Sequence, residues 1–231
     1  MKTPVAFFRF AIVGVALALS AQLARADAGK AEVTAVRGTA SINGAAAKRG
    51  DTATSGAAIV TGNRSSLDLY LDVNGPNISI GEDSSVTLDE LTADTTGPAP
   101  VITTKVTLKE GRVSGYVKKS ADQSVYTIST PTITAAVRGT KYMVTADGHL
   151  YVWEGCVDVI FLGVAGGDDR FKNTHFQVCA GQSFDPNIPG VVANPLPEPP
   201  IAIAPRLNVP PVGPERPVSP VQPGPASTPQ D

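Results

Sequence analysis

Ser66-Leu67-Asp68-Leu69-Tyr70-Leu71-Asp72-Val73 alternates apolar and polar side chains almost without a break. Period-two alternation turns one face of an extended strand toward a core and the other toward water. Asn77-Ile78-Ser79-Ile80 and Ser85-Val86-Thr87-Leu88-Asp89 repeat the pattern downstream. Working outward, the spans 101–108, 112–117, 124–129, 132–137, 141–146, 149–154, 156–162 and 174–179 read as further strands. Asn43-Gly44, Asn74-Gly75-Pro76, Asp147-Gly148 and Gly166-Gly167-Asp168 punctuate them as turns. No stretch of helical periodicity lies between Glu32 and Phe184, so the sequence predicts an all-β body.

One motif occurs twice. Ala35-Val36-Arg37-Gly38-Thr39 returns as Ala136-Val137-Arg138-Gly139-Thr140. Glycine offers the permissive backbone angle and threonine begins the next extended run, so each copy is expected to form a tight reversal between strands. As a pair they suggest matching corners in a stacked, solenoid-like sheet.

The ends differ from this body. Lys2 and Arg9 precede an apolar run from Phe10 to Leu23, which closes on Ala24-Arg25-Ala26. That order is a cleavable export signal, predicted to be cut after Ala26. The run is too short, and Arg25 too close, for an uncleaved spanning helix. No span is expected after signal cleavage. Beyond Asp185, 15 of the chain's 20 prolines fall within residues 186–231. Proline fixes φ and removes a donor, so this tail is expected to be disordered with stretches of polyproline II. The predicted organisation is residues 1–26 signal, 27–185 a single β-domain, and 186–231 tail.

Charge and composition narrow the function. The chain's formal charge is −2, and losing Lys2, Arg9 and Arg25 would take it to −5. A mildly acidic exported protein lacks the basic patch that nucleic-acid binding requires. Cys156 and Cys179 are the two cysteines. An oxidising compartment favours joining them, against the alternative of two buried thiols. If 156–162 and 174–179 form a hairpin, the turn would be centred between residues 167 and 168, and the two cysteines would face each other.

Catalytic and metal chemistry are poorly supplied. The only histidines are His149 and His175, each in a candidate strand beside turn residues. A thiol nucleophile would need a reduced cysteine. No Cys-x-x-Cys or His-Glu-x-x-His pattern occurs, and Asp168-Asp169, a weak calcium candidate, reads better as a solvated loop. Arg49-Gly50-Asp51 reads as a turn rather than an adhesion motif. No catalytic residue, cofactor or metal site is predicted, and the chain is read as non-enzymatic.

Several motifs, in order, resemble one family. Ser129-Thr130-Pro131-Thr132-Ile133-Thr134-Ala135-Ala136-Val137-Arg138-Gly139-Thr140 is similar to the TP…VRGT signature of FecR domains. Val152-Trp153-Glu154-Gly155-Cys156-Val157-Asp158-Val159 resembles the family's EG strand, and Val178-Cys179-Ala180-Gly181-Gln182 its closing AGQ. Upstream, Arg49-Gly50-Asp51, Ile59-Val60-Thr61-Gly62 and Ile80-Gly81-Glu82-Asp83-Ser84 resemble its earlier turns. The resemblance implies a periplasmic β-fold of solenoid or roll character. It also implies a structural signature comprising Thr130, Pro131, Val137, Arg138, Gly139, Thr140, Glu154, Gly155, Ala180, Gly181 and Gln182. FecR regulators place this domain behind a cytoplasmic anti-sigma segment and a membrane span. Here a short signal leads almost directly into Glu32, so the domain and its habit of binding protein partners are what carry over.

The sequence therefore predicts an exported, periplasmic protein-interaction or envelope-scaffold and sensing module with an envelope protein as partner. Cell-surface or secreted destinations stay open. One rival is a module binding carbohydrate or cell-wall glycan; another is a sensor relaying through a separate membrane protein. A sheet face or strand edge is the expected contact surface. Trp153, Tyr142 and Tyr151 are the aromatic candidates for it. Arg138 is expected to fix its corner through carbonyls or a carboxylate. The polarity of Glu154 predicts that Tyr151 and Trp153, rather than Val152, face the core.

Overall fold

Alternation of apolar and polar residues becomes alternation of buried and exposed ones. In the computed structural model, which describes residues 27–71, 77–119, 121–164, 169–193 and 196–197, Leu67, Leu69, Ile78, Ile80, Val86 and Leu88 are all buried. The expected signal, the turns at 74–76 and 166–168, and most of the expected tail lie outside the described residues.

The strands follow one another with short connections. They are β1 (Asp27–Ala28), β2 (Ala31–Arg37), β3 (Ala40–Ile42), β4 (Ala45–Ala46), β5 (Thr52–Ala53) and β6 (Ala57–Thr61). Next come β7 (Ser66–Tyr70), β8 (Asn77–Ile80), β9 (Ser85–Asp94), β10 (Val101–Glu110), β11 (Arg112–Tyr116) and β12 (Val125–Ser129). The last are β13 (Ile133–Thr145), β14 (Leu150–Phe161), β15 (His175–Cys179), β16 (Gln182–Phe184) and β17 (Val191–Ala193). The one helical element among the described residues is a single 3-10 turn, Asp169–Phe171. Asn43 and Gly44 both take positive φ, at 51° and 80°, which suits the two-residue hairpin between β3 and β4.

Pairing shows how the sheet curls. β2 pairs β7 while β3, its continuation, pairs β6. Likewise β8 pairs β7 and β11, whereas β9 pairs β6 and β10. Each run β2–β3, β6–β7, β8–β9 and β10–β11 therefore passes from one half-sheet to the other along a common line of corners. β12 lies parallel to β10, and β13 then pairs β12 with its first half and β11 with its second. β14 follows β13 along its whole length, and β15 and β16 pair its two halves. Bends of this kind let strands change sheets and enclose a core. One cluster of buried side chains, from Ala31 to Phe184, fills the space between the half-sheets.

The first line of corners is held by hydroxyls. The Thr39 backbone N–H donates to Ser65 Oγ at 2.9 Å. Thr61 Oγ1 donates to the Gly81 carbonyl at 2.5 Å and accepts from the Ser84 N–H at 3.0 Å. Ser84 Oγ in turn accepts from the Arg112 N–H at 3.0 Å. Ser65, Thr61 and Ser84 are buried, so these bonds satisfy polar groups that would otherwise be costly.

One expectation needs correction, and the fold and the extent of the sheet are stated more closely. The repeated motif does not reverse the chain: β13 runs straight through its copy, and β2 continues into β3 in the same direction. Glycine is needed there because Gly38 and Gly139 stand at φ 69° and 64°, bending the strand rather than turning it back. Of the expected solenoid or roll, the structure shows an all-β sheet curled on itself. Finally, the sheet extends past Asp185 to β17, which pairs β16. Gly190-Val191-Val192-Ala193 is a proline-free gap between Pro189 and Pro195, so its backbone donors remain available for a ladder.

Candidate interaction surface

At the second corner most of the residues predicted to be structural come together. Val137 is buried and points into the core, and Gly139 takes φ 64°. Thr140 is also fully buried, so the inward phase of β13 has reversed across the glycine. β14 reverses phase opposite it: Val152 and Val157 are both buried although five positions apart, with Gly155 at φ 76° between them. The register shifts of the β13–β14 pair fall between Arg138 and Tyr142, which marks paired bulges. Thr140 Oγ1 donates toward the Cys156 carbonyl at 2.9 Å and the Arg138 carbonyl at 3.0 Å, closing the bend. A Cβ on Gly155 would stand 2.3 Å from the Gly139 carbonyl oxygen. The two glycines thus permit both the curvature and the close approach.

The β15–β16 turn docks on the same corner. Ala180 N–H donates to the Gly155 carbonyl and Gly181 N–H to the Val152 carbonyl, both at 2.9 Å. Gln182 Oε1 accepts from the Cys179 N–H at 2.8 Å. Cys156 and Cys179 stand directly opposite in register and form a disulfide, as the hairpin reading requires. Arg138 binds the carboxylate of Asp122, whose ionisation the guanidinium hydrogen bond and charge hold below the usual carboxylate value. Thr130 and Pro131 are not at this corner. They form the turn between β12 and β13, where Thr130 Oγ1 accepts from the Ile133 N–H at 3.0 Å. Glu154 is exposed, opposite Lys141.

The bulge also decides which aromatics are exposed. Val152 is fully buried, whereas Tyr151 and Trp153 are half-buried on the outer face of β14. This overturns the expectation drawn from Glu154. That residue lies within the bulge, where simple alternation stops, so its polarity says nothing about the face of Val152. Met143, opposite Tyr151 in register, shares the outer face. Trp153 Nε1 donates to the Pro197 carbonyl at 3.0 Å. Tyr142, by contrast, belongs to the core. Its hydroxyl lies 3.0 Å from that of Tyr126, and burial pushes both phenols up.

The family description "FecR protein" matches residues 57–158. Over these residues the chain is FecR-like. The match spans β6 through most of β14 and so contains the Thr61–Gly62, Gly81–Ser84, Arg138–Thr140 and Glu154–Gly155 corners. Arg49-Gly50-Asp51 and Ala180-Gly181-Gln182 lie outside it. Among curated proteins none matches the chain. Within the matched residues these corners are bends of the sheet, while the outward aromatic pair Tyr151 and Trp153 stands beside them.

His149 precedes β14 and His175 begins β15. His175 is exposed on β15. His149 has carboxylates on both sides, Asp147 at 3.1 Å from Nδ1 and Asp185 at 3.4 Å from Nε2. The Asp185 contact was not legible in the sequence, because 36 residues separate the partners. At Asp147, burial raises the carboxyl, but hydrogen bonds from Thr145 and His149 outweigh it and leave the group below its ordinary value. No group of three or more His, Cys, Asp or Glu side chains suited to a metal occurs among the described residues. No helix of the described residues is long and apolar enough to cross a membrane.

Proposed function

We propose that this FecR-domain protein is an exported, non-enzymatic interaction module that works in the periplasm and binds an envelope protein as part of a sensing or scaffolding role. The observation that carries the reading is the half-exposed outer face of β14. There, Trp153 and Tyr151 stand half-buried beside the second corner, on the face turned away from the core. Large aromatic side chains with a polar tip anchor interfaces well, since they offer contact area at little cost in conformational freedom. The FecR match supports a regulatory setting, in which a domain of this kind passes on the state of a membrane partner. The shared order of the runs β2–β3, β6–β7, β8–β9 and β10–β11 in the two half-sheets supports a roll-like description of the body.

The test is in-cell crosslinking of a tagged chain followed by mass spectrometry, with Trp153→Ala as comparison. A reproducible inner- or outer-membrane protein adduct, weakened by the substitution, is the expected result. Retention on cell-wall material instead, lost on Trp153→Ala, would replace this reading with a glycan-binding module.

A further inference from the structure

We infer that the outer face around Trp153 is a docking surface for an extended proline-rich segment, and that its occupant is this chain's own stretch Pro195-Leu196-Pro197-Glu198-Pro199-Pro200. The inference deepens the interaction reading by naming the chemistry that the surface accepts. Three observations carry it. First, the Trp153 indole N–H donates to the backbone carbonyl of Pro197 across 44 positions of sequence. Second, β17 delivers the chain to this face. Ala193 lies opposite Gln182, and Gln182 lies opposite Val152, so the chain leaves β17 two strands from Trp153. Third, the donor and acceptor chemistries match. Proline has no N–H, so a proline-rich stretch offers carbonyls with few competing donors, and indole is a donor only. Polyproline II makes no internal hydrogen bonds and presents those carbonyls outward, and aromatic-lined surfaces recognise it.

The phase reversal in β14 is what makes the surface. It keeps Val152 in the core and leaves Trp153 outside, with Tyr151 on the same face and Met143 opposite Tyr151. A covalently attached segment meets this face at high effective concentration, so even weak intrinsic affinity fills it.

Trp153 is the only tryptophan in the chain, so its fluorescence reads the site directly. Three chains are compared: the full chain, the full chain with Pro195, Pro197, Pro199 and Pro200 each replaced by Ala, and a chain ending at Ala193, which keeps every strand described. Far-UV circular dichroism confirms that each is folded. The expected result is emission at longer wavelength and stronger acrylamide quenching in both altered chains. Equal emission and quenching in all three would overturn the inference. So would a proline-to-alanine chain that shields Trp153 as well as the native one, because the surface would then not select proline-rich chemistry. Neither result depends on whether an envelope protein binds, so failure here is distinguishable from failure of the interaction reading.

Discussion

Replacing Gly155 with alanine tests whether the second corner depends on close backbone approach. Two costs add. At φ 76° an L side chain meets the left-handed penalty, about 1–2 kcal/mol. The new Cβ would also lie 2.3 Å from the Gly139 carbonyl oxygen and 2.9 Å from Thr140 Oγ1, so backbone must move. That movement strains the Thr140–Cys156 and Ala180–Gly155 hydrogen bonds, each worth about 0.5–1.5 kcal/mol net. The total is about 2–5 kcal/mol. Gly181→Ala is the matched control: its φ is 80°, yet a Cβ there meets nothing within 4 Å. It should cost only the backbone penalty, about 1–2 kcal/mol. Urea denaturation followed by circular dichroism should place the Gly155 variant about 2 kcal/mol below the Gly181 variant, by these same terms. Equal midpoints for the two variants would refute the crowded-corner reasoning.

Three further outcomes are expected. Reducing the Cys156–Cys179 bond, which closes a separation of 23 residues, should remove about 3 kcal/mol of stability by the chain-entropy estimate, read as a lower denaturation midpoint in reductant. Thr140→Val keeps the side-chain shape but removes the donor to two carbonyls at a fully buried site, and should cost about 1–3 kcal/mol in the same assay. Arg138→Ala should lower the melting temperature slightly. Because Arg138 depresses the Asp122 carboxyl, its stabilisation is present above the ordinary value of 3.8 and fades as pH falls through the lower folded value. The melting difference between native and variant should therefore shrink in acid, and a difference that persists in strong acid would show that the ion pair is not its source.

Much of the fold was legible because most strands have one face in the core. Leu67 and Leu69, or Ile78 and Ile80, betray their face by period two alone. The cysteine pair was legible for a related reason: a hairpin register needs only the turn position. Legibility failed where glycine bends a strand without ending it. From composition, Val-Arg-Gly-Thr looks like a break, yet β13 continues through it with its phase reversed. The same reversal at Gly155 hid which aromatics are exposed, since alternation carries no information across a bulge. The contact between Trp153 and Pro197 and the placement of His149 between Asp147 and Asp185 depend on where distant segments return, which local pattern does not encode.

The central claim, that corner residues build the fold while the outer face of β14 holds partners, is tested most directly by site-specific photo-crosslinking in cells. The photoreactive residue is placed at Tyr151 in one chain and, in another, at exposed Arg64, which lies between β6 and β7 and whose N–H donates to Glu82 across the first line of corners. The account predicts a specific envelope-protein adduct from position 151 and none from position 64. Adducts only from position 64, or only to cell-wall glycan from position 151, would contradict it.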